Sequence, residues 1–330
     1  MIEIDPLLRA LADMTRLRIM RLLAAMELAV GELAQVLCQS QPRVSRHIRI
    51  LAEAGLIERR KEGSWVFLKS AIDQPGAGAL GQAAARMLAA AEGEDAGFAA
   101  ICAADRAALA AIRAAREAAA AAYFARHAAQ WDEIRALVSD DSSVEAALRG
   151  ALGGELGALL DIGTGTGRMA QLLSAHASHV TALDKSPEML RIARVRLQHL
   201  PQGHLDLVQG DFTALPLADA SHDTVLFHQV LHYAHSPAGP LAEAARVVRP
   251  GGRLAVVDLA AHSREELRDA HAHARLGFTD AQMAALFAEA GFIPDAPLTI
   301  AGGALPVKIW TGRRLCDSRA APLPAKAEVQ

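Results

Sequence analysis

The sequence predicts an α/β fold for the second half of the chain, preceded by a helical unit with a β-hairpin and by a long helical connection. Three observations support this. Strand-like apolar runs alternate with helical segments between residues 159 and 259, helical periodicity followed by a hairpin pattern occupies the first 70 residues, and alanine dominates the stretch between them. We expect four segments, at residues 1–75, 76–137, 138–315 and 316–330, the last being a disordered tail.

Size and composition indicate a two-domain protein without disulfides. The 330 residues are 52% apolar, which is enough for more than one core, but only 4% are aromatic. Cys38, Cys102 and Cys316 form no C-x-x-C pair, which favours a reducing compartment and no metal site. The chain shows no signal-peptide pattern and no apolar run long enough to span a bilayer, so we expect a cytoplasmic protein without membrane contact.

The first 70 residues carry a local excess of positive charge. They contain 11 lysines and arginines against 8 aspartates and glutamates, whereas the whole chain has a net charge of -3. A basic end on an acidic protein favours an anionic partner. Helical spacing interrupted at Asp13 predicts two helices, Val30–Leu37 a third, residues 41–54 a fourth, and residues 56–68 a β-hairpin.

The fourth helix carries the candidate DNA-binding surface. Val44, Ile48 and Leu51 have the spacing of a buried face, and no acidic residue occurs between residues 33 and 52. A helix, a turn, a basic helix and a hairpin in this order predict a winged helix-turn-helix that binds double-stranded DNA. The candidate contacts to phosphates and base edges are Gln41, Arg43, Ser45, Arg46 and Arg49, with Lys61 in the hairpin.

Two stretches of this unit, residues 11–19 (LADMTRLRI) and residues 44–57 (VSRHIRILAEAGLI), resemble the ArsR/SmtB family of bacterial repressors. The resemblance covers about residues 5–70 and implies a homodimer that binds a pseudo-palindromic operator. Metal-sensing members carry E-L-C-V-C-D-L before the recognition helix. This chain has Ala29 and Gly31 in place of the two cysteines, so we expect no soft-metal sensing there.

The alanine-rich middle segment predicts helices over residues 80–91 and 103–137, with a weak point at residues 93–97. In relatives of the ArsR family the helix after the wing contributes to dimerisation, which the resemblance implies for residues 80–91. Tyr123, Phe124 and Trp131 stand out because aromatic residues are scarce. Similar aromatic helices lie over the cofactor in the family that the second half of the chain resembles, as described below; packing against the sheet is the alternative, and both roles stay open.

A glycine-rich turn follows the first strand of the second half. The apolar run 159–162 contains Asp161 and leads into Gly163, Gly165 and Gly167, where backbone without side chains can adopt positive φ and approach a ligand. A dinucleotide fingerprint requires glycine at position 168, where this chain has arginine, so the spacing disfavours NAD. Further strands predicted at residues 180–184, 205–208, 224–229 and 253–259 indicate a parallel sheet with its ligand at the carboxyl ends of the strands.

The turn D-x-G-x-G-x-G resembles motif I of class I S-adenosylmethionine (SAM) methyltransferases, and residues 217–225 and 246–254 are closest to the ubiquinone/menaquinone branch. The match covers about residues 123–312 and implies a Rossmann-like methyltransferase fold that binds SAM or S-adenosylhomocysteine. Asp184 would accept bonds from the ribose hydroxyls, Asp211 would accept from the adenine amino group, and Phe212 would pack on the ring. The candidate cofactor residues are Asp161, Gly163, Gly165, Gly167, Asp184, Met189, Asp211, Phe212 and His228.

The methyl acceptor is a small molecule in our prediction. Residues 227–233 (FHQVLHY) lack the N/D-P-P-Y/F motif of enzymes that methylate amino groups in DNA, and the cysteines lack the partners that an arsenite methyltransferase needs. His228 and His232, four residues apart, are the candidate catalytic residues and could share one helical face as a base pair or a metal site. A structural role for at least one of them stays open. The segment with His262, His271 and His273 is a candidate substrate lid.

Three functions remain open from the sequence. The first is a dimeric transcriptional regulator whose DNA affinity responds to SAM or S-adenosylhomocysteine. The second is an active small-molecule methyltransferase that its DNA-binding domain regulates or localises. The third is a structural dimer with a vestigial pocket, which would show no thermal stabilisation by SAM.

Overall fold

The chain divides into two compact units. One comprises Met1–Tyr123 and Ser263–Ala272, and the other comprises Phe124–His262 and His273–Gln330. The computed structural model describes residues 2–62, 65–73, 77–131, 141–201, 203–300 and 305–315. The tail after residue 315, which we expect to be disordered, lies outside the described residues.

The first unit begins with a winged helix-turn-helix, as predicted. Its strands form an antiparallel sheet in the order β1-β3-β2, and β2 and β3 make the hairpin. The short strand β1 was not predicted, because two residues show no periodicity. The elements are α1 (Ile4–Leu11), α2 (Met14–Ala25), β1 (Leu28–Ala29), α3 (Val30–Val36), α4 (Gln41–Glu53), β2 (Ile57–Glu62) and β3 (Trp65–Ser70).

Helix α4 owes its position to its apolar face. Val44, Ile48 and Leu51 are buried in the core of the unit, as their spacing predicts. Ser40 occupies the N-cap position, but its side chain makes no capping hydrogen bond. Gly55 ends the helix at φ 70°, a left-handed conformation that favours glycine.

The alanine-rich segment forms helices α5 (Ala79–Glu94) and α6 (Ala96–His127). The predicted weak point is confirmed as a break at Asp95, whose carboxylate accepts hydrogen bonds from the backbone N–H groups of Gly97 and Phe98 at 2.8 and 3.0 Å. This cap starts α6 at residue 96, so the predicted start at residue 103 was wrong. The helix ends at His127, ten residues before the predicted end, and residues 132–140 lie outside the described part.

The first part of α6 belongs to the core of the first unit. Leu109 is buried there with Leu88 of α5. Asp105 is 4% exposed and accepts two hydrogen bonds from the guanidinium group of Arg18 in α2, at 2.6 and 2.8 Å. Glu92 of α5 pairs with both Arg21 and Arg106 at 2.6 Å. These contacts join the alanine-rich helices to the helix-turn-helix.

The second unit contains an eight-stranded mixed sheet in the order β10-β11-β8-β7-β4-β5-β6, with β9 pairing to β11. Its helices are α7 (Asp141–Leu152), α8 (Arg168–Leu173), α9 (Pro187–Leu197), α10 (Ala238–Val247) and α12 (Asp280–Glu289), whereas α11 (Glu266–His271) belongs to the first unit. Its strands are β4 (Gly157–Ile162), β5 (Ala177–Asp184), β6 (Leu205–Gln209), β7 (His222–His228), β8 (Val248–Leu259), β9 (Phe292–Pro294), β10 (Leu298–Ile300) and β11 (Val307–Arg314).

The five strands β4 to β8 are the parallel strands that the sequence predicts. The antiparallel strands β9 to β11 at one side were not predicted. The predicted strand at residues 253–259 begins earlier, at Val248, and residues 249–252 form a bulge inside β8, because His222 pairs with Val248 while Thr224 pairs with Arg253. The five parallel strands lie in the order β8-β7-β4-β5-β6, which is a Rossmann-like arrangement, and the glycine turn follows the middle one of the five, β4.

Among the residues that the structure describes, no helix is both long and apolar enough to cross a membrane.

Candidate functional site

The glycine turn after β4 has the conformation that its sequence predicts. Gly163, Gly165 and Gly167 have φ values of 69°, 54° and 82°. A Cβ atom on Gly163 would lie 2.4 Å from the Val230 side chain, so this position also needs glycine for space. A Cβ atom on Gly165 would instead meet the Trp131 ring at 3.7 Å. The loop is therefore tightly packed at Gly163 and faces an aromatic ring at Gly165.

Two aspartates hold this loop in place. Asp161 is 1% exposed, and its carboxylate accepts the hydroxyl hydrogen bond of Thr164 at 2.6 Å. Asp184, at the carboxyl end of β5, accepts the N–H of Gly165 on one oxygen and the N–H of Ser186 on the other, both at 2.8 Å. Burial raises the pKa of Asp184, against the lowering effect of these backbone hydrogen bonds. One carboxylate thus connects the glycine turn to the start of α9.

Two of the other cofactor candidates, Met189 and Asp211, bond to the residues that directly follow Asp184, which are Ser186 and Lys185. Met189 is buried in the first turn of α9, and its N–H donates to the Ser186 hydroxyl at 3.3 Å. Asp211 accepts a hydrogen bond from Nζ of Lys185 at 2.8 Å. Burial raises the pKa of Asp211, but the bonds from Lys185 and Thr213 outweigh it and hold that pKa below its ordinary value. Phe212 is half-buried against the core of the sheet.

An aromatic row connects the glycine turn to the loop after β7. The ring of Trp131 lies 5.2 Å from the ring of Phe124, and the ring of Phe124 lies 4.9 Å from that of Tyr233, both edge to face. Tyr233 in turn lies 4.1 Å from the imidazole ring of His232. Aromatic residues make up 4% of the chain, so three of them in one row mark a distinct region of the second unit.

The two candidate catalytic histidines do not share a helical face, and this prediction was wrong. His228 is the last residue of β7, Gln229 adopts a left-handed φ of 51°, and His232 lies in a short 3-10 helix, Leu231–Tyr233. The strand and the left-handed residue break the helical spacing. Both histidines are buried, at 7% and 3% exposure.

His232 is paired with Asp258, a residue that the sequence pattern did not single out. Nδ1 of His232 lies 2.7 Å from Oδ1 of Asp258, and the backbone N–H of His232 donates to Oδ2 at 3.1 Å. Asp258 lies near the carboxyl end of β8 and is fully buried. The sequence does contain an indication of this residue, because Asp258 is an acidic residue in an otherwise apolar strand that ends at the ligand edge of the sheet.

The segment after β8 supports this histidine. Arg275, 2% exposed, donates from its side chain to the carbonyl groups of Ala234 and His235 at 3.2 and 2.6 Å, and from its backbone to the carbonyl of His232 at 2.9 Å. The imidazole ring of His273 lies 4.2 Å from that of His232. His271 falls in the first unit, where it makes a 2.7 Å hydrogen bond with Tyr123.

The DNA-binding candidates of α4 share one exposed surface. Gln41, Arg43, Ser45, Arg46 and Arg49 are all exposed, whereas the helix buries Val44, Ile48 and Leu51. Within the described residues, the three arginines take part in no ion pair. Lys61 lies in strand β2 of the hairpin.

Ala29 and Gly31, which occupy the positions of the metal-binding cysteines in metal-sensing relatives, lie at the start of helix α3. The N–H of Ala29 donates to Oε2 of Glu32 at 3.0 Å, and Glu32 is 2% exposed. Oε1 of Glu32 lies 3.5 Å from Nε of Arg113 in α6. A carboxylate and an arginine therefore meet beside this position, an arrangement that sequence spacing could not reveal because the partners are far apart in the chain.

Two family models match the chain. Residues 13–59 match the model described as bacterial regulatory protein, arsR family, and residues 160–256 match the model described as methyltransferase domain. The malonyl-[acyl-carrier protein] O-methyltransferase of Serratia marcescens is 36% identical over 147 residues, which cover 44% of this chain and 55% of that protein. The demethylmenaquinone methyltransferase of Tropheryma whipplei is 39% identical over 100 residues, which cover 30% of this chain and 41% of that protein.

The chain spans about half the length of the curated relatives it matches. Among solved structures, a Haloferax volcanii complex of a methyltransferase with the Trm112 methyltransferase activator is 23% identical, has a TM-score of 0.49, and covers 58% of this chain and 97% of that chain.

Proposed function

We propose that this chain, which carries an arsR-family regulatory domain at residues 13–59 and a methyltransferase domain at residues 160–256, is a DNA-binding transcriptional regulator whose affinity for its operator responds to SAM or S-adenosylhomocysteine. One observation carries the proposal. A DNA-binding unit with Ala29 and Gly31 in place of metal ligands is joined to a complete cofactor loop braced by Asp184.

The cofactor implied by the methyltransferase domain is SAM, and the residues present fit it. Gly165 has no side chain, so the space between the glycine turn and the ring of Trp131 is not filled by a Cβ atom. The carboxylate of Asp184 accepts backbone hydrogen bonds from Gly165, Lys185 and Ser186, and with about four lone-pair sites it retains one for a ribose hydroxyl. We assign the adenosine part of the cofactor to Asp184, Asp211, Phe212 and Met189, and the methionine part to Asp161, Gly163, Gly165, Gly167 and His228.

The exposed arginines of α4 support the DNA-binding half of the proposal. Arg43, Arg46 and Arg49 project from one helix, and arginines of this kind bind phosphates and the N7 and O6 atoms of guanine. By analogy with the ArsR family, we propose that the chain is a homodimer on double-stranded operator DNA and acts in the cytoplasm. Equilibrium sedimentation with and without DNA tests the dimer.

Titration of labelled upstream DNA with the full chain tests the regulatory proposal. A ligand shifts a binding equilibrium only if it binds the DNA-competent and DNA-incompetent states with different affinity. We expect saturating SAM or S-adenosylhomocysteine to change the DNA dissociation constant about 5-fold or more, the lower limit of typical coupling. The same DNA affinity with and without both ligands would refute the regulatory proposal.

A second candidate function, turnover as a small-molecule methyltransferase, is favoured by the buried pair of His232 and Asp258. The two relatives are named for acceptors, malonyl-[acyl-carrier protein] and demethylmenaquinone, and the chain matches only part of each. Labelled SAM incubated with the protein and fractionated lysate metabolites should yield a methylated product. If no methylated product forms in any fraction, the result would favour a regulator that binds its cofactor without consuming it.

A further inference from the structure

We propose that His232 is the general base of methyl transfer, that Asp258 positions it, and that the acceptor is an aromatic ring bearing an ionisable hydroxyl group. The inference rests on the proposed methyltransferase activity and adds the acceptor class and the proton acceptor. It is carried by the geometry of the pair, by a buried nitrogen atom without a protein partner, and by the aromatic row that ends at His232.

The pair holds the imidazole ring in one orientation. Oδ1 of Asp258 lies 2.7 Å from Nδ1 of His232, and the backbone N–H groups of His232 and Leu259 donate to Oδ2 and Oδ1 at 3.1 and 2.7 Å. The carboxylate is therefore restrained at both oxygens. A carboxylate at Nδ1 selects the tautomer with the proton on Nδ1, so the lone pair lies on Nε2.

Nε2 of His232 has no hydrogen-bond partner among the described residues, although it is buried. An unsatisfied buried polar atom is costly, so Nε2 is the atom of this pair to which we assign the hydrogen bond from the acceptor. A second histidine-aspartate pair in the same unit shows the contrast. His179 is paired with Asp206 at 3.0 Å, its other nitrogen bonds the carbonyl of Gly203 at 3.1 Å, and both side chains are partly exposed.

The position in the sheet places the pair at the ligand edge. His232 follows the carboxyl end of β7, Asp258 lies near the carboxyl end of β8, and these are adjacent parallel strands. The glycine turn follows β4, the other neighbour of β7. In open α/β sheets this edge is where ligands bind.

The aromatic row is the reason for proposing an aromatic acceptor. A Cβ atom on Gly165 would lie 3.7 Å from the Trp131 ring, and Phe124 and Tyr233 continue the row from Trp131 to His232 with centroid distances of 5.2, 4.9 and 4.1 Å. Edge-to-face aromatic side chains favour a flat aromatic ligand. The lone pair on Nε2 lies beside this aromatic row and can accept a proton. A phenol suits both features, because its ring is flat and its hydroxyl proton must leave when the oxygen is methylated.

The reaction balances with a sulfonium methyl donor. SAM supplies the methyl group, and the electron pair of its broken sulfur–carbon bond stays on sulfur to give S-adenosylhomocysteine. The acceptor oxygen forms the new bond to the methyl carbon with a lone pair, and its proton moves to Nε2 of His232. The imidazolium cation is then stabilised by Asp258 and later releases the proton to solvent. The other titratable groups that face His232 in the described residues are Tyr233 and His273.

A chromogenic phenol, 4-nitrocatechol, tests the proposal without turnover. The full-length protein is saturated with S-adenosylhomocysteine and titrated with the phenol near neutral pH, and absorbance reports the ionised fraction of the bound phenol. We expect wild type to bind the phenol saturably and to raise that fraction above its value in buffer. His232→Gln should return the ionised fraction of the bound phenol to its value in buffer or below, and Asp258→Asn should lower it by a smaller amount.

His179→Gln is the matched control, because it removes the exposed histidine of the other pair and should leave the phenol spectrum unchanged. Exogenous imidazole should restore part of the methylation rate of His232→Ala, and thermal melting checks that each variant folds. Lack of saturable phenol binding by wild type, or an unchanged ionised fraction in His232→Gln, would overturn the inference. Calorimetry with SAM separates this failure from that of the proposed function, since a wild type that does not bind SAM contradicts the latter.

Discussion

At the scale of single residues, Asp184 has the most demanding role, because one carboxylate holds the glycine turn and the start of α9 together. We predict that Asp184→Ala weakens SAM binding about 10- to 100-fold, since a hydrogen bond to a charged group contributes about 1.5–3 kcal/mol. Isothermal titration calorimetry measures the change. Asp206→Ala is the control, because this exposed carboxylate lies on the neighbouring strand β6. Equal losses in both variants would contradict the role of Asp184.

Arg46 provides the corresponding prediction for DNA. It is exposed on α4 and forms no ion pair among the described residues, so its guanidinium group is available to a base edge. We predict that Arg46→Ala weakens operator binding by about 1–3 kcal/mol and relaxes sequence preference at one position. Fluorescence anisotropy with operator and random duplexes measures both effects.

Arg9→Ala is the control for Arg46, because Arg9 is exposed on α1 and already pairs with Asp5. If Arg46→Ala weakens binding to operator and random DNA equally, Arg46 contacts phosphate and does not read a base.

The site residues that the sequence identified lie at or beyond the ends of strands, whereas the one that it missed lies inside a strand. Asp184 and Asp211 lie at or just beyond the ends of strands, where the strand and helix pattern alone places them at the ligand edge. Asp258 lies one residue before the end of an apolar strand, where the same pattern indicates a core position. A carboxylate in an apolar strand marks it as unusual, but its role follows from its pairing with His232, 26 residues away in the chain.

At the scale of elements, the local pattern predicted the five parallel strands and the order of the helix-turn-helix. It could not predict that residues 249–252 bulge inside β8, because the bulge depends on the register with β7. It also missed β11, whose antiparallel pairing with β8 depends on the path of the chain between them. The start of α6 was missed because the cap at Asp95 outweighs the weak helix propensity of the glycine nearby.

The attachment of α6 to the first unit depends on the pair of Asp105 and Arg18. The carboxylate is 4% exposed and accepts two hydrogen bonds from the guanidinium group, which raise the pKa of Arg18. Breaking a buried pair costs about 3–5 kcal/mol, and the partial exposure of Arg18 lowers the expected cost. We predict that Asp105→Ala destabilises the first unit by about 1–3 kcal/mol in chemical unfolding.

Asp5→Ala is the matched control for Asp105→Ala. It breaks the exposed pair of Asp5 and Arg9 on α1, which should contribute about 0–0.5 kcal/mol. An Asp105→Ala variant as stable as Asp5→Ala would show that α6 is held to the helix-turn-helix by its apolar residues alone.

At the scale of the whole molecule, α6 is the element whose residues are divided between the two units, residues 96–123 in the first and residues 124–127 in the second. Asp105 and Arg113 pair with Arg18 and Glu32 in the first unit, and Phe124 belongs to the aromatic row of the second unit. Under the proposed regulation, we expect SAM binding to change DNA affinity through this helix. Linkage then requires that DNA change SAM affinity by the same factor.

We predict that Ala118→Pro removes this coupling and preserves each binding activity. Ala118 is exposed in the interior of α6, between Arg113 and Phe124, and proline there costs about 3 kcal/mol of local helix stability. Ala118→Gly, which costs about 1 kcal/mol, is the matched control and should retain most of the coupling. Calorimetry with SAM, with and without operator DNA, gives the coupling factor for each variant. A proline variant that binds both ligands with the wild-type coupling factor would show that the signal does not depend on a continuous α6.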